Sequence, residues 1–185
     1  MANFDNLITI SSRDNKSLDK LKEIEFKINY WQPWRSSWFQ KFICSDKKAW
    51  GLSNALNFNS VDFVSTQKTD QMELDFVLQS DLAPVTQAFK IFQETMRKQL
   101  IDLSVSVIYI EPNMHIVGYY INGEDDEMDL GVLYQGLIDG DEQAIQFAKK
   151  VNMDIDHIAR NYLCIRLISD NHDCDCALCN RQQKQ

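Results

Sequence analysis

A half-buried strand is predicted by the stretch Met72-Glu73-Leu74-Asp75-Phe76-Val77-Leu78, in which every second residue is strongly apolar. Successive side chains of a strand point to opposite faces, so Met72, Leu74, Phe76 and Leu78 form one buried face. The segment Val61-Asp62-Phe63-Val64 is predicted as a short partner strand, and the polar residues 66–70 as the turn between the two. The sheet is therefore expected to grow outward from this pair.

Upstream, residues 7–10 are rich in β-branched side chains and predict a first strand. A helix is predicted after Ser17, because residues recur there at helical spacing: Leu18, Leu21, Ile24 or Glu25, and Ile28. Downstream of the central pair, Asp81 is expected to cap a second helix, with Pro84 in its first turn. Its apolar stripe is Val85, Ala88, Phe89, Phe92 and Met96.

The second half of the chain predicts further elements. Residues 103–110 alternate as a strand, residues 111–114 form a hairpin turn, and residues 116–121 form a further strand. Two helices are predicted over 141–152 and 154–168. The acidic residues after Asn122-Gly123 are expected to form a solvated loop.

The order strand, helix, strand, strand, helix, strand is that of a ferredoxin-like split βαβ fold, so the fold class is α+β. We assign residues 1–125 to this domain, with an aromatic insert over 30–58. Residues 126–169 are expected to form a helical extension, and residues 170–185 a Cys- and His-rich tail. No internal repeat is found.

Short matches resemble a known family. The opening Met1-Ala2-Asn3, followed by Asn6-Leu7-Ile8-Thr9-Ile10, is similar to that of the YubB-type ferredoxin-like family of unknown function, carried by plasmids and phages. The pair Trp50-Gly51 and the segment 104–118, with its Glu111-Pro112-Asn113-Met114 turn, resemble the same family. The resemblance implies a ferredoxin-like fold and a mobile-element origin, and it implies no catalytic residues.

Charge is distributed unevenly along the chain. Residues 1–101 carry 13 basic and 12 acidic side chains, a net of +1, and residues 102–185 carry 6 and 15, a net of −9. An acidic surface repels phosphate backbones and attracts basic proteins, although it also serves solubility alone. The candidate partner-binding acids are Glu124, Asp125, Asp126, Glu127 and Asp129.

The aromatic insert places seven large aromatic residues between positions 30 and 50, with Arg35, Lys41, Lys47 and Lys48 among them. Three interpretations stay open: core packing, a protein-binding surface, and a platform for stacking nucleic-acid bases. The candidate contact residues for a protein partner are Trp34 and Trp38. Direct binding of nucleic acid is not expected, because the chain is acidic overall.

The tail holds His172, Cys174, Cys176 and Cys179, which are the ligand types and number of a tetrahedral zinc site. Cys164 or His157 could replace one of them. The alternatives are reduced thiols at a chain end and disulfide or redox chemistry, because only one Cys-x-x-Cys spacing is present. Zinc is the only cofactor that we predict.

The sequence favours a binding protein over an enzyme. It contains no Gly-x-Ser-x-Gly, P-loop or Gly-x-Gly-x-x-Gly motif, and we name no catalytic residue. The absence of a secretory leader and the odd number of cysteines, five, lead us to expect a cytoplasmic protein without a membrane segment. The oligomeric state is not indicated.

The function predicted from these features is that of a non-enzymatic accessory protein, encoded by a phage or plasmid. It would bind and inhibit a host protein through its acidic surface, and that partner could be a defence component that handles nucleic acid. The alternatives are a nucleic-acid-binding ferredoxin-like module and a small zinc-binding structural protein.

Overall fold

The computed structural model describes residues 3–31, 43–44, 63–68, 71–81 and 83–161. The chain divides into two compact units, one comprising Met1–Glu111 and Gly118–Asp126, the other Pro112–Val117 and Glu127–Gln185. The first six elements are β1 (Asn3–Ser12), α1 (Asn15–Trp31), β2 (Phe63–Lys68), β3 (Gln71–Asp81), α2 (Thr86–Lys98) and β4 (Leu103–Glu111). They are followed by β5 (Ile116–Ile121), β6 (Glu124–Asp129), α3 (Leu130–Asp139), α4 (Glu142–Val151) and α5 (Ile155–Asn161).

The six strands form one sheet in the order β2-β3-β1-β4-β5-β6. β1 is antiparallel to both β3 and β4, and β2 is antiparallel to β3. β1 and β2 therefore run in the same direction on either side of β3 and are connected through α1. β3 and β4 flank β1 in the same manner and are connected through α2. These two split βαβ units give an α+β architecture compatible with the ferredoxin-like fold.

The core of the first unit lies on one face of the sheet. β1 contributes Ile8 and Ile10, and alternate residues of β3 and β4 lie beside them. Both α1 and α2 pack their apolar residues into the same cluster. The predicted buried residues are confirmed for β3, for the α2 stripe and for most of α1: Met72, Leu74, Phe76, Leu78, Val85, Ala88, Phe89, Phe92, Met96, Leu18, Leu21 and Ile24.

A buried asparagine organises the start of α2. The prediction that Asp81 caps this helix is wrong, because Asp81 is the last residue of β3 and the helix begins at Thr86. Pro84 accordingly precedes the helix. The N-terminal flanking residue Val85 has no side-chain cap, and its amide instead donates to Oδ1 of Asn6 on β1, 3.1 Å away. A tertiary contact therefore replaces the local cap.

Two predictions about polar segments are also wrong. Residues 66–68 belong to β2, where Thr66 pairs with Glu73, and not to a turn. The acidic segment after Gly123 is the strand β6 and not a loop. Aspartate and glutamate are depleted in strands, so residue preference gives no sign of β6. The predicted strand over 116–121 is confirmed as β5.

The second unit contains a helix that the sequence did not reveal. α3 includes Gly131 and Gly136, which lower helix propensity and obscure its periodicity. Gly136 has a packing role, because a Cβ atom there would lie 2.7 Å from the Cβ of Ala144 on α4. The predicted helix over 141–152 is confirmed as α4. The helix predicted over 154–168 is described only as α5, and its remainder lies outside the described residues.

Candidate functional site

The candidate site is the acidic strand β6, the outermost strand on its side of the described sheet. It follows β5 after a two-residue turn of Asn122 and Gly123, which have φ values of 55° and 108°. Such a turn, with both central residues at positive φ, joins adjacent antiparallel strands and matches their twist. It places Ile121 opposite Glu124 and Tyr120 opposite Asp125.

A buried polar network holds this hairpin in place. Oδ1 of Asn122 accepts from the amide of Val105 at 2.9 Å and from Nε2 of Gln93 at 3.0 Å. Gln93 on α2 is fully buried, and its Oε1 accepts a hydrogen bond from the hydroxyl of Tyr120 at 2.5 Å. The turn that leads into β6 is therefore anchored to α2 and β4 through Tyr120 and Asn122.

The tyrosine of this network stays protonated over the physiological range. Burial raises the pKa of Tyr120 above its ordinary value, and the carboxylates of Glu94 and Asp125 raise that pKa further, whereas Arg97 lowers it. The hydroxyl therefore remains a donor to Gln93. The ring of Tyr120 also lies 5.5 Å from Nζ of Lys90, which makes a cation–π contact.

The ion pair of Lys90 with Asp125 shows which way the acids of β6 point. The lysine Nζ lies 2.7 Å from Oδ2 of Asp125, so Asp125 faces the helices of the first unit. Because side chains alternate along a strand, Glu124 and Asp126 project from the opposite face. All three carboxylates are exposed to solvent. Asp125 and its two neighbours therefore lie on opposite faces of β6.

The last predicted acid has a local structural role in the second unit. Oδ1 of Asp129 accepts hydrogen bonds from the amides of Gly131 at 2.8 Å and Val132 at 3.0 Å. It is therefore the N-cap of α3, a role that typically contributes about 1 kcal/mol. Glu127, two residues earlier, is exposed.

Several predicted site residues lie outside the described residues. These are Trp34, Trp38, His172, Cys174, Cys176 and Cys179, with Cys164. His157, a substitute ligand, is exposed on α5, and its amide donates to Oδ1 of Asp154 at 2.7 Å. Within the described ranges, no group of three or more His, Cys, Asp or Glu side chains is arranged to hold a metal ion. Cys44 is buried.

The described residues of each unit line a cavity. One, of about 190 Å³, lies at the ends of β1, β2 and β3 and is lined mainly by polar residues, including Ser11, Thr66 and Glu73. The other, of about 440 Å³, lies among α3, α4 and α5 and is lined by Leu137, Ile145, Met153 and Ile155, with charged residues around them. The sequence pattern indicated neither cavity.

Comparison with protein-family models, with curated proteins and with solved structures finds no match for this chain. Among the described helices, none has both the length and the hydropathy that crossing a membrane requires. Inference about function therefore starts from the geometry of the described residues.

Proposed function

We propose that this protein is a non-enzymatic binding protein that engages a basic surface of another protein through the acidic strand β6. The observation that carries the proposal is the presentation of several exposed carboxylates on one outermost strand that a buried network fixes in place. A cluster of like charges raises the rate of encounter with an oppositely charged protein and repels nucleic acid.

The acids of β6 differ in what they can contribute. Lys90 neutralises part of the charge of Asp125, and Asp129 is engaged in capping α3. The proposed contact residues are Glu124, Asp126 and Glu127, which are exposed on the outermost strand. The more specific hypothesis, inhibition of a host protein that handles nucleic acid, rests on the family resemblance and remains a prediction. The same is true of a phage or plasmid origin.

The test combines three charge reversals, Glu124→Lys, Asp126→Lys and Glu127→Lys. A partner captured from host extract with the wild-type protein is purified. Its association rates with the wild type and with the triple variant are then measured at several salt concentrations. We expect the reversal to slow association at least about tenfold at low salt. The wild-type rate should fall as salt shortens the screening length from roughly 14 Å at about 50 mM to roughly 4 Å at about 500 mM.

The matched control reverses three acids on the helices of the first unit, Asp19→Lys, Glu25→Lys and Glu94→Lys. It produces the same change of net charge at a different place. The proposal requires the control to associate nearly as fast as the wild type. Equal slowing by both triple variants would show that only net charge matters, and the acidic strand would then have no specific role.

A further inference from the structure

The first unit has a sheet face on which none of its described helices packs. α1 and α2 both contribute to the core on the other face, where the even-numbered residues of β1 lie. On this open face stand the odd-numbered residues of β1 and β3 and the even-numbered residues of β4. At β5 the same face is buried, because Tyr119 is only 3 % exposed. The accessible region is therefore formed mainly by β3, β1 and β4, and β2 adds Thr66 opposite Glu73.

An apolar row crosses the middle of this open face. The strand register places Leu7 directly between Val77 on β3 and Ile108 on β4. Leu7 is 45 % exposed and Val77 is 38 % exposed, and Ile108 is half-buried. Adjacent strands lie about 4.8 Å apart, so the row spans about 10 Å across three strands.

The surroundings of the apolar row are acidic. Asp5, Glu73 and Asp75 stand on the same face, and no Lys, Arg or His occupies an open-face position of β1, β3 or β4. The carboxylate of Asp5 accepts a hydrogen bond from Gln79, and that of Asp75 accepts one from Thr9, so both carboxylates are held in position. In contrast, α1 and α2 together carry seven basic and four acidic residues. Over β1, β3 and β4 the open face is thus acidic, whereas the two helices are net basic, and on β2 Lys68 stands opposite Gln71 at the edge of that face.

We propose that the open face binds an amphipathic, basic helix of a partner protein. This inference rests on the proposed function, because it specifies which kind of structure the basic partner presents. Residues i, i+3 or i+4, and i+7 of a helix span about 10.5 Å along its axis, which matches the length of the apolar row. Three apolar side chains of a helix lying across the strands would contact Val77, Leu7 and Ile108. Lysine or arginine beside them would pair with Asp5, Glu73 and Asp75.

Two other occupants fit the charges less well. Nucleic acid would bring phosphates against three carboxylates, and these positions of β1, β3 and β4 carry no aromatic ring for base stacking. A second copy of this chain would bring the acids of one face against those of the other. A basic amphipathic helix supplies both apolar side chains for the apolar row and positive charges for the acids beside it.

The test uses a fluorescently labelled synthetic helix of leucine and lysine, with leucines at i, i+3, i+4 and i+7, and measures its anisotropy on addition of the full-length protein. A peptide of the same composition in scrambled order and a leucine–glutamate version serve as probes of pattern and charge. We expect only the patterned basic helix to bind well. Equal binding of the scrambled peptide would overturn the proposal, since non-specific attraction would then suffice.

Protein variants separate this site from β6. We expect Leu7→Gln to weaken binding of the patterned helix about tenfold, as for loss of one buried leucine contact, and Glu73→Lys to weaken it further. Phe26→Gln, at an exposed residue of α1, is the matched control and should bind like the wild type. Circular dichroism and thermal melting verify that each variant folds.

The outcomes distinguish the two proposals. If Leu7→Gln leaves binding of the patterned helix unchanged, the open face is not the site, and the β6 charge reversal tested above still decides the proposed function by itself. Binding of a single-stranded DNA oligonucleotide that Leu7→Gln abolishes would replace the helix by nucleic acid. Concentration-dependent self-association abolished by Leu7→Gln would replace it by a second copy. Either result would overturn the proposal.

Discussion

Replacing Asn6 with alanine tests how the first unit fixes the connection between β3 and α2. The side chain is fully buried. Its Nδ2 lies 3.1 Å from the carbonyl oxygens of Phe4 and Leu78 and 3.0 Å from the hydroxyl of Ser80, and its two hydrogens are shared among these three acceptors. Its Oδ1 accepts a hydrogen bond from the backbone amide of Val85. One residue therefore connects three segments, and the first turn of α2 depends on it.

The expected cost follows from these contacts. Alanine leaves the buried amide of Val85 without its acceptor, which costs about 1–3 kcal/mol, and each lost hydrogen bond removes about 0.5–1.5 kcal/mol of net stabilisation. Because some of these groups can rearrange, we expect Asn6→Ala to lower the free energy of unfolding by about 3 kcal/mol in urea denaturation. Gln79→Ala, at an exposed residue of β3, should change that free energy by less than about 0.5 kcal/mol.

A second substitution at the same position shows whether the hydrogen bonds are responsible. Asn6→Asp preserves an acceptor for Val85 but turns a carboxylate oxygen toward the carbonyls of Phe4 and Leu78. Its destabilisation relative to the wild type should therefore be large at neutral pH and should decrease at low pH, where the protonated carboxyl can donate. A loss below about 1 kcal/mol for Asn6→Ala, or no pH dependence for Asn6→Asp, would refute the assigned role.

Three further predictions follow from the described contacts and the tail. Gly118→Ala should destabilise the first unit by about 1–3 kcal/mol, because the added Cβ would lie 2.2 Å from Cζ of Tyr109, and Tyr109→Leu should partly restore the double variant in urea denaturation. Hydrogen bonds from Ser17 lower the pKa of the Asp14 carboxyl, so its contribution is present above the unfolded-state value of 3.8 and is lost as pH falls through the lower folded-state value. The largest effect comes from the Ser17 backbone amide, which alanine keeps, so NMR titration should find that lowered pKa and Ser17→Ala, which removes only the hydroxyl, should raise it part of the way toward the ordinary value. Protein prepared without chelator under reducing conditions should carry about one zinc ion per chain, and deleting residues 170–185 should abolish metal uptake without changing the melting temperature; metal analysis that detects no zinc in the full-length protein would reject the site.

The predictable part of the fold is the part in which burial repeats with a simple period. β3 has a buried residue at every second position, and α2 has buried residues at the spacing of one helix face. Both patterns are visible in the sequence because each element has one face toward the core and one toward solvent. The strand order then follows from the order of elements, since few arrangements bury both helix stripes on one sheet face.

The unpredicted parts depend on contacts between residues distant in sequence. The start of α2 depends on Asn6, which is 79 positions from Val85 along the chain. α3 tolerates Gly136 because Ala144 packs there, and β6 is held by a network that includes Gln93. Local preferences favour a cap at Asp81 and a loop at the acids, and tertiary contacts override both. The acids of the open face give no separate signal in the sequence, because Glu73 and Asp75 simply serve as the polar half of an alternating strand.

The way β6 is held also determines what its charge can be used for. An outermost strand made mainly of acids gains little from its own side chains, and its carboxylates oppose pairing with another acidic edge. The hairpin is instead fixed through Asn122, Tyr120 and Gln93, none of which is an acid. Reversing the charge of Glu124, Asp126 and Glu127 leaves the side chains of that network unchanged, and equal melting temperatures of the wild type and the triple variant would show that the strand stays in place. A loss of binding after charge reversal would therefore report on recognition, because the surface would keep its shape while its sign changed.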